Sequence, residues 1–362
     1  MKMSRSISEA LPSPGLSQSQ SRTSTPVPQT NRRSIQREAA DIANPTVEQS
    51  QNNWKSKRRI ISACLMSFGN GVNDSTPGAV IPYMETGYKI GYAVVSLIFV
   101  ANAVGFILAA PVTHVLERKI SHSKSYAAAM SCLVIGYAIV VSEPPFPVVV
   151  ITFLLYGFGL AVNLALTNAF CATLPNATVS LGYLHGAYGI GGTVAPIMAT
   201  SMASNGISWS LFYTIPLAIA VLNMTLALWA FSHSEEEKPS ESERTLFQSA
   251  SGAMSRTQVL KKAIQNRTTL LGALFIFVYQ GAEVSVSGWL VSFLISYRHG
   301  DPSRVGYVSA GFWAGITVGR LFLTYPATKL GEKTSVVLMI LGAILFQLLI
   351  WLIPNLIGEF YI

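Results

Sequence analysis

Residues 69–80 read GNGVNDSTPGAV, inside an otherwise apolar run with IISACLMSF before it and IPYM after it. The flanks are apolar enough for hydrocarbon, yet Asn70, Asn73 and Asp74 lie between them with Pro77 close behind. A charged Asp at the centre of a bilayer costs at least ~2.5–3.5 kcal/mol. A chain keeps such a residue there when it serves a function or, as the blander alternative, when it packs helices by bonding a neighbouring amide. Whether a bilayer is present at all depends on the rest of the sequence.

Half of the 362 residues are hydrophobic and only 12% are charged, against about a quarter charged in ordinary soluble domains. The mean hydropathy is +0.42. A helix needs ~20 mostly apolar residues to cross a ~30 Å hydrocarbon core. Nine stretches qualify: 60–83, 92–115, 125–142, 146–172, 180–203, 209–231, 269–295, 305–325 and 334–356. They are too long and too uniformly apolar for barrel strands. The expected fold class is therefore all-α and polytopic, in contact with the lipid bilayer.

The net charge of +8 raises the idea of nucleic acid, but the distribution of charge excludes it. Ten Lys and Arg precede span one, three follow span two, six lie between spans six and seven, and two follow span eight. All these fall on one side of the membrane. The other side holds only Lys89, Arg298 and Arg304, while Arg320 lies within span eight. Cytoplasmic loops are rich in Lys and Arg, so the N-terminus is expected in the cytosol. The plasma membrane and an endomembrane such as vacuole or Golgi fit equally. Residues 1–58, rich in Ser, Thr, Pro and Gln, read as a disordered tail. The tail lacks the apolar core of a signal peptide, and its prolines spoil the amphipathic helix of a transit peptide. Asn-x-Ser/Thr occurs at Asn73, Asn176, Asn223 and Asn266, in spans or cytosolic loops, so no N-glycan is expected. Cys64, Cys132 and Cys171 lie within spans and read as small buried side chains.

Two acids stand at mid-span. Asp74 is ~21 Å along the helix from Ile60 at 1.5 Å per residue. Glu283 shares a face with Tyr279, Gln280 and Ser287. An acid that alternates between wet and dry surroundings can carry a proton, so both are candidates for proton coupling, with an ion pair to Arg320 as the rival role for Glu283. Asn70 and Asp74 are four apart and share a face, with Asn73 on the same broad arc. In span four, Tyr156, Gly159, Asn163 and Thr167 form one polar stripe. That stripe suits a neutral polar ligand such as a sugar, although hydrogen bonds between helices would look the same. His185, Tyr188 and Trp313 complete the candidate solute contacts, with Asn70, Asn73, Asn163, Thr167, Tyr279 and Gln280. Gly182–Gly186 and Gly311–Gly315–Gly319 repeat the G-x-x-x-G spacing and are expected to let helices approach closely.

Spans one to six are closely spaced, a polar stretch follows over 233–267, and three spans come after it. The domains expected are a six-helix bundle over 59–232, a cytosolic linker and a three-helix block over 268–362. Four motifs carry a resemblance: GNGVNDSTPGAVIPY (69–83), YLHGAYGIGGTVAP (183–196), GAEVSVSGW (281–289) and SAGFWAGITVGRL (309–321). Together they resemble fungal proteins of the major facilitator superfamily related to the fucose:proton symporters. The resemblance implies two six-helix halves, so the second half here reads as incomplete and the chain as truncated. It also implies that Asp74, after Asn73, is the proton-coupled acid. The symporters place another acid in the fourth helix after G-x-G, whereas here Gly157–Gly159 are followed by Asn163. The family's loop after helix two is degraded to Glu117 and Arg118, and its copy after span eight keeps Lys329, Gly331 and Lys333. The resemblance marks Glu117, Arg118 and Lys329 as gating residues; Arg320, near the cytosolic end of span eight, reads from its position as a gate latch or an anchor.

The function expected is secondary active transport of a small polar solute, sugar-like, with a proton, by a monomer alternating its access. A non-transporting receptor or scaffold is the alternative. No phosphate-binding G-x-x-x-x-G-K-[ST], H-E-x-x-H or G-x-S-x-G is present. No enzyme activity, metal or cofactor is expected.

Overall fold

The computed structural model describes residues 48–232, 262 and 264–353, and it is helical with no strand among them. The long helices are α1 (Glu48–Tyr88), α2 (Leu97–Lys119), α3 (His122–Val141), α4 (Phe146–Ala172), α5 (Ala177–Ser204), α6 (Thr214–Ala230), α7 (Arg267–Arg298), α8 (Pro302–Phe322) and α9 (Glu332–Leu352). A single turn, Tyr92–Val95, precedes α2, a 3-10 turn, Trp209–Tyr213, leads into α6, and a short helix, Thr324–Leu330, precedes α9. Each expected span coincides with one long helix. The largest difference is at α1, which begins at Glu48 rather than near Ile60, so the end of the expected disordered tail is helical. The rest of that tail and most of the linker lie outside the described residues.

The ends of these helices follow from backbone chemistry. On the side opposite the start of α1, here the far side, α1, α3, α5 and α7 each give way to a left-handed residue: Lys89, Glu143, Gly206 and His299, with φ of 53°, 51°, 79° and 54°. Such a residue stops a helix by turning the chain away from its axis. On the same side Asp301 caps α8, its Oδ1 accepting from the Ser303 amide at 2.9 Å and the Ser303 hydroxyl at 2.7 Å. These bonds hold the Asp301 carboxyl below its ordinary pKa. At the other, near side, Arg58 lies over the Trp229 ring at 4.8 Å and Arg59 lies 6.0 Å from the Phe231 ring centroid.

Among the described residues, six helical segments are long and apolar enough to cross a membrane: Tyr92–Thr113, His122–Val141, Phe146–Ala172, Trp209–Ala230, Arg267–Arg298 and Lys333–Leu352. Helices α1, α5 and α8 are not among them. Their glycines and buried polar groups lower the local hydropathy, and these are the helices that meet in the site described below. Lipid gives no hydrophobic drive for helix association, so close packing and hydrogen bonds must supply it. In α1 and α5 glycine does this: a Cβ at Gly71 would overlap the Tyr188 carbonyl oxygen, and one at Gly191 would overlap that of Phe68. Helix α1 meets α7 in the same way, through Gly78 and the Ser287 carbonyl.

The expected packing glycines prove to be other ones. Gly182, Gly186, Gly311 and Gly315 have nothing within 4 Å of an added Cβ, and Gly319 meets only Leu323 of its own chain neighbourhood at 3.8 Å. The G-x-x-x-G spacing puts them on one face of a helix, but not on the face that meets α1 or α5. Gly71→Ala should therefore cost about 1–3 kcal/mol through overpacking. Gly186→Ala should be neutral or stabilising, since Ala is favoured over Gly in a helix by ~1 kcal/mol. Thermal unfolding of the two purified variants checks this; equal midpoints would contradict the packing described.

Candidate functional site

The three polar residues of the opening motif do not form one cluster. Each faces a different helix. The Asn163 side-chain amide donates to Asn70 Oδ1 at 2.8 Å, tying α4 to α1. The Tyr137 hydroxyl donates to Asn73 Oδ1 at 2.8 Å, tying α3 to α1. The Tyr188 hydroxyl donates to Asp74 Oδ2 at 2.5 Å, tying α5 to α1. Asn70 and Asn163 are fully buried, and Asn73 nearly so.

The span-four stripe is real as a stripe, but it faces protein. Tyr156 packs among Tyr137 and Tyr213 with ring centroids 4.7 Å and 6.3 Å away. Gly159 lies against Ala129 and Leu133 of α3. The Thr167 hydroxyl donates to the Asn163 carbonyl at 2.8 Å, within its own helix. In this arrangement Asn70 and Asn73 tie α1 to α4 and α3, Thr167 bonds within its own helix, and Asn70 also lines a small cavity with Tyr137 and Asn223. The physical reason is that a buried amide in lipid surroundings finds a partner on the neighbouring helix.

Asp74 is different, being only partly buried. From it a chain of polar groups runs across four helices. Tyr188 binds its carboxylate, and the Arg320 guanidinium lies 5.9 Å from the Tyr188 ring centroid. Arg320 Nη2 in turn reaches Glu283 Oε1 at 3.6 Å. Tyr279 neighbours both Glu283 and Arg320. The two carboxyls are near enough for their charges to interact. Glu283 Oε2 is buried without a hydrogen-bond partner.

Arg320 thus takes the role that sequence reading set as the rival for Glu283, and it does more, because it also touches the aromatic ring that binds Asp74. Helix α5 brings Tyr188 into place beside Gly189 and Gly192, whose missing side chains admit Thr317 and the Trp313 ring of α8. Trp313 is consequently buried, at 2% exposure, with Tyr188 5.9 Å from it. One face of its ring rests on Gly192. His185, Gln280 and Tyr279 are exposed. Lys329 is exposed on the short helix before α9. The side chains of Glu117 and Arg118 lie outside those described.

Sequence reading did not find Tyr137, Ser67 or Asn223 as structural partners. The Ser67 hydroxyl donates to the Leu184 carbonyl at 2.7 Å, and the Asn223 amide to the Leu65 carbonyl at 3.1 Å. Asn223 had a signal, an amide in the middle of a span, whereas Tyr137 is one aromatic among many.

Contacts between the first six helices and α7–α8 run from Arg320, in the last turn of α8, to the far side. Gly288 meets Phe99, Trp289 packs on Tyr92 and Phe99, and Gly306 admits Thr200. Tyr92 and Ser296 share a hydrogen bond between their hydroxyls. Residues 267–282 of α7, toward the near side, are exposed.

Comparison with known proteins agrees with this architecture. The profile of the Major Facilitator Superfamily matches residues 63–361. Bypass of stop codon protein 6 of Saccharomyces cerevisiae is 26% identical over 295 residues, 76% of this chain and 58% of that protein. A glucose/galactose transporter of Brucella abortus is 26% identical over 72% of this chain and 65% of its own length. The sodium-dependent glucose transporter 1A of Mus musculus is 24% identical over 76% of this chain and 70% of its own. The crystal structure of a D-xylose-proton symporter shares the fold with a TM-score of 0.54 at 13% identity, covering 76% of this chain and 69% of that one. The chain spans 58% and 65% of the length of the first two relatives.

Proposed function

The chain belongs to the Major Facilitator Superfamily, and on that premise we propose that it is a secondary active transporter of a small, sugar-like polar solute, driven by protons. It is an integral multi-pass membrane protein, and the family indicates a transporter rather than an enzyme. The names of the bacterial and mouse relatives support a sugar-like cargo. The observation that carries the proton coupling is the chain Asp74–Tyr188–Arg320–Glu283, which joins the six-helix bundle to α7 and α8.

In this reading the near side is cytosolic, as the Lys and Arg distribution suggests. The far-side contacts of α1 with α7 and of α5 with α8 then form the closed outer gate, and the exposed near half of α7 belongs to the inward-facing state. Loading a proton on Asp74 changes what Tyr188 and Arg320 experience. It shifts the balance between inward- and outward-facing states only if protonation has a different free energy in the two. The polar links that cross between the halves supply such a difference, because rocking the halves apart breaks them.

The test is uptake of labelled hexoses and pentoses into proteoliposomes containing the full chain, with a proton gradient, a sodium gradient or neither. Proton-driven accumulation is the expected result. Binding without flux under every gradient would make the protein a receptor, and sodium-driven accumulation alone would replace the coupling ion.

A further inference from the structure

A polar cavity lies away from the chain of Asp74, Tyr188, Arg320 and Glu283. Its volume is ≈ 310 Å³, and it sits where α1 and α7 meet on the far side, lined by Glu85, Thr86, Tyr92, Ser292 and Ser296 among others. Glu85 lies ~16 Å beyond Asp74 along α1 at 1.5 Å per residue. Two of its groups lack the partners that buried polar atoms ordinarily have. Glu85 Oε1 and Ser292 Oγ are both buried with no hydrogen-bond partner, and Ser292 is 4% exposed. Among the described residues no Lys, Arg or His lines the cavity to balance the carboxylate. The nearest basic residue in sequence, Lys89, is turned out of the helix by its left-handed backbone and is exposed.

From these features we infer that the Glu85 cavity is a binding site for a hard monovalent metal cation, of the size and charge of Na⁺. The donors it offers are all oxygens: one carboxylate and the hydroxyls of Thr86, Tyr92, Ser292 and Ser296. Oxygen ligands suit hard cations and not soft ones. A single carboxylate matches one positive charge, whereas Ca²⁺ takes 6–8 oxygen ligands and Mg²⁺ demands near-ideal octahedral geometry. The volume leaves room for the ion and several waters at ~30 Å³ each, so water completes the shell. The site bridges the two halves, with Glu85 from α1 and Ser292 and Ser296 from α7. Bound cation therefore stabilises the α1–α7 contact, and the Tyr92–Ser296 hydrogen bond lies at the same junction.

The experiment is thermal unfolding of the purified full chain in NaCl, KCl or choline chloride at equal ionic strength. Na⁺ at tenfold its dissociation constant should raise the midpoint by about 2 °C over choline, in a saturable way. Glu85→Gln should remove the rise and Ser292→Ala should weaken it. If Glu85→Gln fails to fold, radiolabelled Na⁺ binding to the unmodified chain and to Ser292→Ala answers the same question: binding that unlabelled Na⁺ but not choline displaces, and that Ser292→Ala weakens, supports the site, and no displaceable binding, or binding unchanged in Ser292→Ala, overturns it. A rise shared by Na⁺ and K⁺ still supports the site, as one of low selectivity. Equal midpoints in Na⁺ and choline, or a rise that survives Glu85→Gln, overturn it. The result is independent of transport: proton-driven uptake can succeed with no Na⁺ effect, and Na⁺ can bind where uptake fails.

Discussion

Asp74→Asn should abolish gradient-driven accumulation while leaving exchange of solute across the membrane intact. One proton moving down a one-unit pH gradient releases about 1.4 kcal/mol, enough for about tenfold accumulation of cargo. The variant should bring its solute to equal concentrations on the two sides and no further. Asparagine is nearly the shape of aspartate and keeps an oxygen for the Tyr188 hydroxyl, which now binds Asp74 Oδ2 at 2.5 Å. The α1–α5 contact is therefore retained, and what is lost is the ability to gain and release a proton. Exchange under equal pH separates the two effects, since it needs the conformational cycle but no net proton movement. Accumulation unchanged from the parent chain would remove Asp74 from coupling. Loss of both accumulation and exchange would mean that the residue holds the structure, and the melting temperature of the variant would show it.

The helices were legible in the sequence because lipid permits so few ways to satisfy a backbone. An apolar run of sufficient length has to be a helix, and the positions of α1 to α9 follow from that. The interior contacts were legible only in part. The helical period shows which residues share a face, but not which helix that face meets. Asn70, Asn73 and Asp74 are the plainest case. They lie within one and a half turns, yet they contact α4, α3 and α5 respectively. Only Asp74 belongs to the chain that continues to α8.

The glycines teach the same point. Spacing marks Gly182–Gly186 and Gly311–Gly315 as a motif, but the close approaches fall at Gly71, Gly191 and Gly78. What counts is whether a neighbouring carbonyl occupies the place of the Cβ, and no spacing rule carries that information. Tyr188 was visible from YLHGAYGIGG as an aromatic in a glycine-rich helix. Its two partners, Asp74 and Arg320, are separated from it by more than a hundred residues in either direction. The pair Glu283–Arg320 was readable as a rival possibility because a buried acid in lipid surroundings requires a cation or a proton.

That pair supplies the second large effect, expected from Arg320→Ala. The Glu283 side chain is 6% exposed and its Oε2 has no hydrogen-bond partner, so the carboxylate depends on Arg320 for its charge balance. Removing one member of a buried pair costs about 3–5 kcal/mol, because the other is left charged in a poor solvent. Here the Arg320 side chain is 35% exposed, so solvent screening reduces the expected loss to about 2 kcal/mol. Glu283→Gln leaves an arginine that can still reach water, and it should cost less than about 1 kcal/mol. The combined variant Arg320→Ala/Glu283→Gln has no charge left to strand. It should be more stable than Arg320→Ala alone, and a double-mutant cycle reads that recovery as the coupling between the two residues. Uptake assays on the same three proteins divide structure from transport. If the pair only holds α7 against α8, the combined variant recovers stability and transport together. If it belongs to the proton path, stability returns and gradient-driven uptake does not. Strict additivity of the two single effects would show that Arg320 and Glu283 act separately, and the polar chain from Asp74 would then end at Arg320.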